Sequence, residues 1–170
     1  NKGLNWNETN LQNNRIRSNS IFFNNSMTGI ITCENGKLFR TNNGGINWDS
    51  ISFPSNENLT NGYIYGNYIY VIGSSTFYKS SNNGNTWLQN SLGRYVMASD
   101  FTDQNTGFLY GNISGQFWSH NTFFRTTNGG NTWDSSAIQY MPYVMEFINS
   151  ETGYLAGGNS GVNTYLAKTT

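Results

Sequence analysis

The sequence predicts an all-β fold of repeated four-stranded antiparallel blades, and three observations carry that expectation. An eight-residue segment recurs without gaps as TNNGGINW at 41–48, SSNNGNTW at 80–87 and TTNGGNTW at 126–133, a repeat of about 42 residues. Short apolar or aromatic runs, separated by Gly, Asn and Ser, fill the intervals, and no stretch carries helical periodicity. Aromatics make up 16% of a chain that is only 11% charged, which marks the Asn-rich composition as a packed protein rather than a disordered polar segment.

Each octad places Ser or Thr first, Asn third, Gly fifth and Trp eighth: Thr41, Asn43, Gly45, Trp48; Ser80, Asn82, Gly84, Trp87; Thr126, Asn128, Gly130, Trp133. A hydroxyl and an Asn side chain two residues apart can accept backbone N–H groups of a tight turn, and Gly supplies a positive φ. The Trp then starts the returning strand and can plug the gap between neighbouring sheets. Arg40, Lys79 and Arg125, which precede the octads, read as structural.

The blades are expected at approximately 7–51, 52–90, 91–136, and 137–170 plus 1–6. The first holds the apolar run Gly29–Cys33, which makes Cys33 a small buried hydrophobe and, as the lone cysteine, excludes an intrachain disulfide. In the third blade the strands are Tyr95–Met97, Gly107–Gly111 and Phe123–Arg125; in the fourth, Tyr143–Phe147, Gly153–Gly157 and Tyr165–Lys168.

These octads resemble the Asp-box, or bacterial neuraminidase, repeat, with Asn at the usual Asp position. The surrounding F-x-N-x-x-x-G-Y-x-x-G pattern, seen at Phe147–Gly157 and in looser form at Phe101–Gly111, resembles the propellers of photosystem II assembly factors and secreted bacterial proteins. The resemblance implies a β-propeller and leaves function open, because the same repeat occurs in sialidases, sortilin-like receptors, xyloglucan-degrading enzymes and noncatalytic modules.

The chain ends carry a further octad in two parts. Thr169-Thr170 followed by Asn1-Lys2-Gly3-Leu4-Asn5-Trp6 reads TTNKGLNW, with Thr169, Asn1, Gly3 and Trp6 in register. Either residues 1–6 supply the outer strand of the fourth blade and close the ring, or the chain is a window of a longer propeller.

Little chemistry remains beside the repeats. Zero net charge gives no footprint for nucleic acid or anionic membrane, and no apolar stretch approaches the ~20 residues of a spanning helix. A chain soluble as given, or a mature or excised piece, is expected, with no cofactor and no metal: His120 is the lone histidine. Sialidase chemistry, by the resemblance, needs three arginines, a tyrosine and acidic partners; only Arg15, Arg17 and Arg94 are left for it, with no accompanying motif. A glycosidase needs two carboxylates about 5–10 Å apart, and only Asp100 and Glu146 could face the channel, where hydrogen-bonded structural roles are favoured.

Ligands are expected on the face opposite the octad turns, in loops near 7–19, 34–36, 52–61, 73–75, 90–94, 111–117, 136–142 and 157–162. Candidate ligand-binding residues there are Arg15, Arg17, Arg94, Tyr140, Tyr143 and Glu146, with Trp118 and His120 on an irregular insertion in blade three. The resulting expectation is a noncatalytic binding or scaffold module of a secreted or cell-surface bacterial protein, taking a protein or carbohydrate ligand and not an enzyme. The alternatives are a fragment of a sialidase-like or other glycoside hydrolase and a structural repeat unit of a larger extracellular assembly.

Overall fold

The computed structural model describes residues 5, 11, 16–112, 121–139, 141–159 and 163–169. Among them there is no helix, and four antiparallel sheets stand in chain order as the blades of a β-propeller. Blade one holds β1 (Ser18–Phe23), β2 (Gly29–Cys33), β3 (Leu38–Thr41) and β4 (Asp49–Ile51). Blade two holds β5 (Asn61–Tyr65), β6 (Tyr68–Ile72), β7 (Thr76–Ser80) and β8 (Leu88–Ser91). Blade three holds β9 (Tyr95–Phe101), β10 (Gly107–Asn112), β11 (Thr122–Thr126) and β12 (Asp134–Ala137). Blade four holds β13 (Pro142–Phe147), β14 (Gly153–Asn159) and β15 (Asn163–Thr169), three strands among the described residues; the expected fourth, residues 1–6, lies outside them but for Asn5.

Each sheet is a meander, its strands joined by turns whose chemistry is local. Three first-to-second-strand connections share one device: the side-chain oxygen of Asn25, Asp103 or Asn149 accepts the N–H groups two and three residues on, at 2.6–2.9 Å. These N–H bonds outweigh the effect of partial burial on Asp103 and hold its carboxyl below its ordinary value. Between β2 and β3, Asn35 and Gly36 have φ of 57° and 66°, the signature of a two-residue hairpin turn in which both residues must be left-handed.

The inner strands share a second device. Register slips by one residue against the neighbouring strand at Asn19 in β1, Met97 in β9 and Tyr143 in β13, each four residues before a phenylalanine (Phe23, Phe101, Phe147) that faces glycine across the ladder. These bulges re-aim the extra side chain. β9 also runs on to Phe101, well past the Tyr95–Met97 core that its apolar pattern announces.

The core lies between blades rather than within them. Ile30 and Leu38 of blade one pack with Leu59, Ile64, Ile69, Val71 and Tyr78 of blade two. Tyr70, Ile72 and Phe77 of blade two meet Val96, Phe101 and Leu109 of blade three, with Trp133 against them. Blade two is therefore buried on both faces, and β6 (Tyr68–Ile72) reads as a continuous apolar strand instead of an alternating one, while β7 buries Phe77 and Tyr78 side by side on opposite faces. Cys33 is fully buried on the other face of blade one with Ile31, Phe39 and Trp48, and burial pushes its thiol up to about 11.

Candidate functional site

One face of the propeller is committed to holding the blades. In all three complete octads the first hydroxyl accepts the N–H of the fifth-position glycine (2.8–2.9 Å) and donates to the Asn at position three (2.9–3.0 Å). That Asn oxygen in turn accepts the N–H of the seventh residue at 2.9–3.0 Å. The residue before each octad reaches across to the next blade: Arg40 donates to Asn83 (2.6 Å), Lys79 to Asn131 (2.9 Å) and Arg125 to the Ser150 carbonyl (3.2 Å). Hydroxyls, amides and cations on this face are thus spent on turns and on cross-blade ties.

The inner strands are tied in the same way. Tyr63 donates to the Ser99 carbonyl (2.6 Å), Tyr65 to the Phe101 carbonyl (2.5 Å) and Asn61 to the Ser99 hydroxyl (2.6 Å), all from β5 to β9. Asp100, half-buried in β9, accepts the Phe147 N–H of β13 at 2.5 Å. Burial lifts its carboxyl above the ordinary value, with a smaller push from the charge of Glu146. The two acids singled out from sequence are therefore near neighbours on adjacent blades: Asp100 engaged by backbone, Glu146 exposed on β13.

The opposite face differs at the upper ends of blades three and four. Asn112 pairs with Tyr95 across β9 and β10, and Arg94 lies against Gly111. The bulge at Tyr143 leaves that side chain 58% exposed, and Tyr95 beside it is also exposed. Below them Tyr110 is fully buried; burial pushes its phenol up to about 12, with smaller contributions from nearby Tyr165 and Tyr143. Three buried polar atoms in this neighbourhood, Tyr110 Oη, Asn112 Nδ2 and Asn121 Oδ1, have no hydrogen-bond partner among the described residues. Buried polar groups are normally paired, so each of these atoms calls for a partner, from water, an ion, a neighbouring side chain or a ligand.

A concavity of about 600 Å³ opens between blades three and four, from Arg125 and Thr169 at the octad end to Ile138. Phe108, Phe123 and Phe147 form its floor, and Arg125, Glu151 and Lys168 lie on its rim. Phe108 and Phe147 stack with centroids 3.5 Å apart.

Of the residues proposed from sequence, Arg94 and Tyr143 fall in the upper group, and Glu146 lies further along β13. Arg17 stands apart, beside Glu34 at 3.5 Å. Arg15, Trp118, His120 and Tyr140 lie outside the described residues. Sequence reasoning passed over Tyr110, Asn112 and the three floor phenylalanines. The available signal was polar Tyr110 and Asn112 at the end of the otherwise apolar second strand of blade three. Among the described residues no three His, Cys, Asp or Glu side chains converge as a metal site would require.

No protein-family profile and no curated protein matches the chain. Solved structures do. YCF48 bound to D1 peptide superposes with a TM-score of 0.63 at 15% identity over 91% of this chain and 54% of that one. An ancestral GH74 enzyme gives 0.69 at 15% identity over 90% and 22%, and the N-terminal domain of Nup159 gives 0.57 at 9% over 89% and 44%. The chain spans about half the length of the YCF48 chain, and at these identities the likeness establishes the propeller fold alone.

Proposed function

We propose that this chain is a noncatalytic binding module of the Asp-box type, part of a secreted or surface protein, whose ligand is a protein segment docked at the upper ends of blades three and four. The observation that carries this reading is the set of unpaired buried atoms Tyr110 Oη, Asn112 Nδ2 and Asn121 Oδ1 beneath exposed Tyr95 and Tyr143. Asn112 Nδ2 can only donate, Asn121 Oδ1 can only accept, and a polypeptide backbone offers both complements. Exposed tyrosines add large contact area at low entropic cost, and Arg94 beside them can fix a carboxylate or carbonyl. YCF48, whose structure holds a D1 peptide, and Nup159, whose structure holds Dbp5, make protein ligation a reasonable use of such a face.

A second reading, a glycoside hydrolase segment, draws on the neighbouring acids Asp100 and Glu146 and on the raised carboxyl of Asp100. The engagement of Asp100 by the Phe147 N–H favours the structural role. Screening the protein against peptide and glycan arrays, with a fluorogenic glycoside panel in parallel, separates the two. The expected result is saturable peptide binding that Tyr143→Ala or Arg94→Ala weakens by about tenfold or more. Glycoside turnover abolished by Glu146→Gln would overturn the proposal.

A further inference from the structure

We infer that Asn43 and Asn128 are sites of spontaneous deamidation that the fold holds shut, each locked by the first turn of its own blade. The inference uses other residues than the ligand reading and is independent of it.

Five Asn-Gly pairs occur in the chain, at 35–36, 43–44, 61–62, 83–84 and 128–129. Such pairs invite the reaction, because glycine has no side chain to keep its nitrogen away from the asparagine side chain. That backbone nitrogen gives up its proton and bonds to the asparagine Cγ, closing a cyclic imide, while the Cγ–Nδ2 bond breaks and ammonia leaves. Water then opens the ring on one side or the other, which leaves aspartate or isoaspartate and one more negative charge. The attack requires a glycine nitrogen turned toward Cγ, and here all five N–H groups point elsewhere. Gly36 donates to the Glu57 carbonyl (2.8 Å), Gly44 to that of Met27 (2.8 Å) and Gly129 to that of Asn105 (2.7 Å). Gly62 donates to the Ser20 hydroxyl at 3.3 Å and Gly84 to that of Ser80 at 2.8 Å.

At Asn43 and Asn128 the lock has two parts, built alike. Each asparagine holds octad position three, and its Oδ1 is engaged by a hydroxyl and an N–H: Thr41 and Asn47, or Thr126 and Thr132. Each glycine holds position four and donates to the first-to-second-strand turn of the same blade. In blade one the Asn25 side chain accepts the Met27 N–H at 2.9 Å, and the Met27 carbonyl accepts Gly44. In blade three Asp103 accepts the Asn105 N–H at 2.6 Å, and the Asn105 carbonyl accepts Gly129. Asn128 is exposed and Asn43 half-buried, so these hydrogen bonds, and not exclusion of water, are the barrier. Blade two makes the same tie from Asn83 to the Asn67 carbonyl (3.0 Å), but its position-three Asn82 is followed by asparagine instead of glycine.

The two products act in opposite ways. Aspartate still offers an oxygen to the hydroxyl and N–H that its precursor served, so the turn can close again. Isoaspartate adds a carbon to the main chain between positions three and four, inside the loop that the 2.8 Å bond from Gly130 to Thr126 spans. Loosening of a blade thereby becomes a covalent event.

Peptide mapping that separates aspartate from isoaspartate tests this on the full chain, kept at mildly alkaline pH in buffer and in urea. Both sites should react at least about tenfold faster in urea. In buffer, Asn25→Ala should speed Asn43 by about tenfold and leave Asn128 unchanged, and Asp103→Ala should do the reverse. Asn25→Asp and Asp103→Asn keep the accepting oxygen and should restore the rates of the unaltered chain. Equal rates in buffer and urea would overturn the lock. Alanine variants that speed both sites together, or neither, or conservative variants that fail to restore the rate, would overturn its assignment to the first turns.

Discussion

At the scale of the residue, the octad works because one hydroxyl is used twice. Thr126 accepts the Gly130 N–H at 2.8 Å and donates to Asn128 at 3.0 Å while being almost fully buried. Thr126→Val keeps the shape and leaves a buried N–H without an acceptor, so it should cost about 1–3 kcal/mol in urea denaturation. Thr126→Ser should be close to neutral, since Ser80 makes the same two bonds in blade two. Such contacts were legible in the sequence because donor and acceptor lie within five residues of each other. Tyr110 and Asn112, without a partner among the described residues, were not, because the surroundings of Tyr110 include Tyr143 and Tyr165 from strands tens of residues away.

Elements show where local reading stops and packing takes over. The strands announced themselves, yet the bulges at Asn19, Met97 and Tyr143 came only with the register, and one of them is what turns Tyr143 outward. Cross-blade ties were equally invisible, since an acid such as Asp100 reads in sequence as either a catalyst or a strut. The strut role makes a specific demand. Asp100→Asn retains an oxygen for the Phe147 N–H and removes a charge that burial disfavours, so stability at neutral pH should hold or rise slightly. Asp100→Ala removes the acceptor and should lose about 1–3 kcal/mol by the same measurement.

For the whole molecule, the interblade core carries its own pH limit. Burial raises Tyr63, Tyr65 and Tyr70 above the ordinary phenol range, and Tyr110 to about 12. A phenol whose folded value exceeds its unfolded value of about 10 holds its proton more tightly when folded. Its contribution is complete below pH ~10 and is lost as pH rises through the folded value. The urea midpoint should therefore stay level from about pH 7 to 9 and fall above about pH 10, less steeply in Tyr63→Phe.

Blade two, enclosed on both sides, and blade four, with Val144 and Leu166 63% and 74% exposed, sit at opposite ends of a burial gradient along one chain. In a repeat architecture each unit is held mainly by its neighbours, so protection should follow enclosure. Deuterium should enter the amides of β13 and β15 first and those of β6 last. The same gradient gives the molecule a graded response to stress: its last sheet can loosen and re-form while the middle pair keeps the memory of the fold.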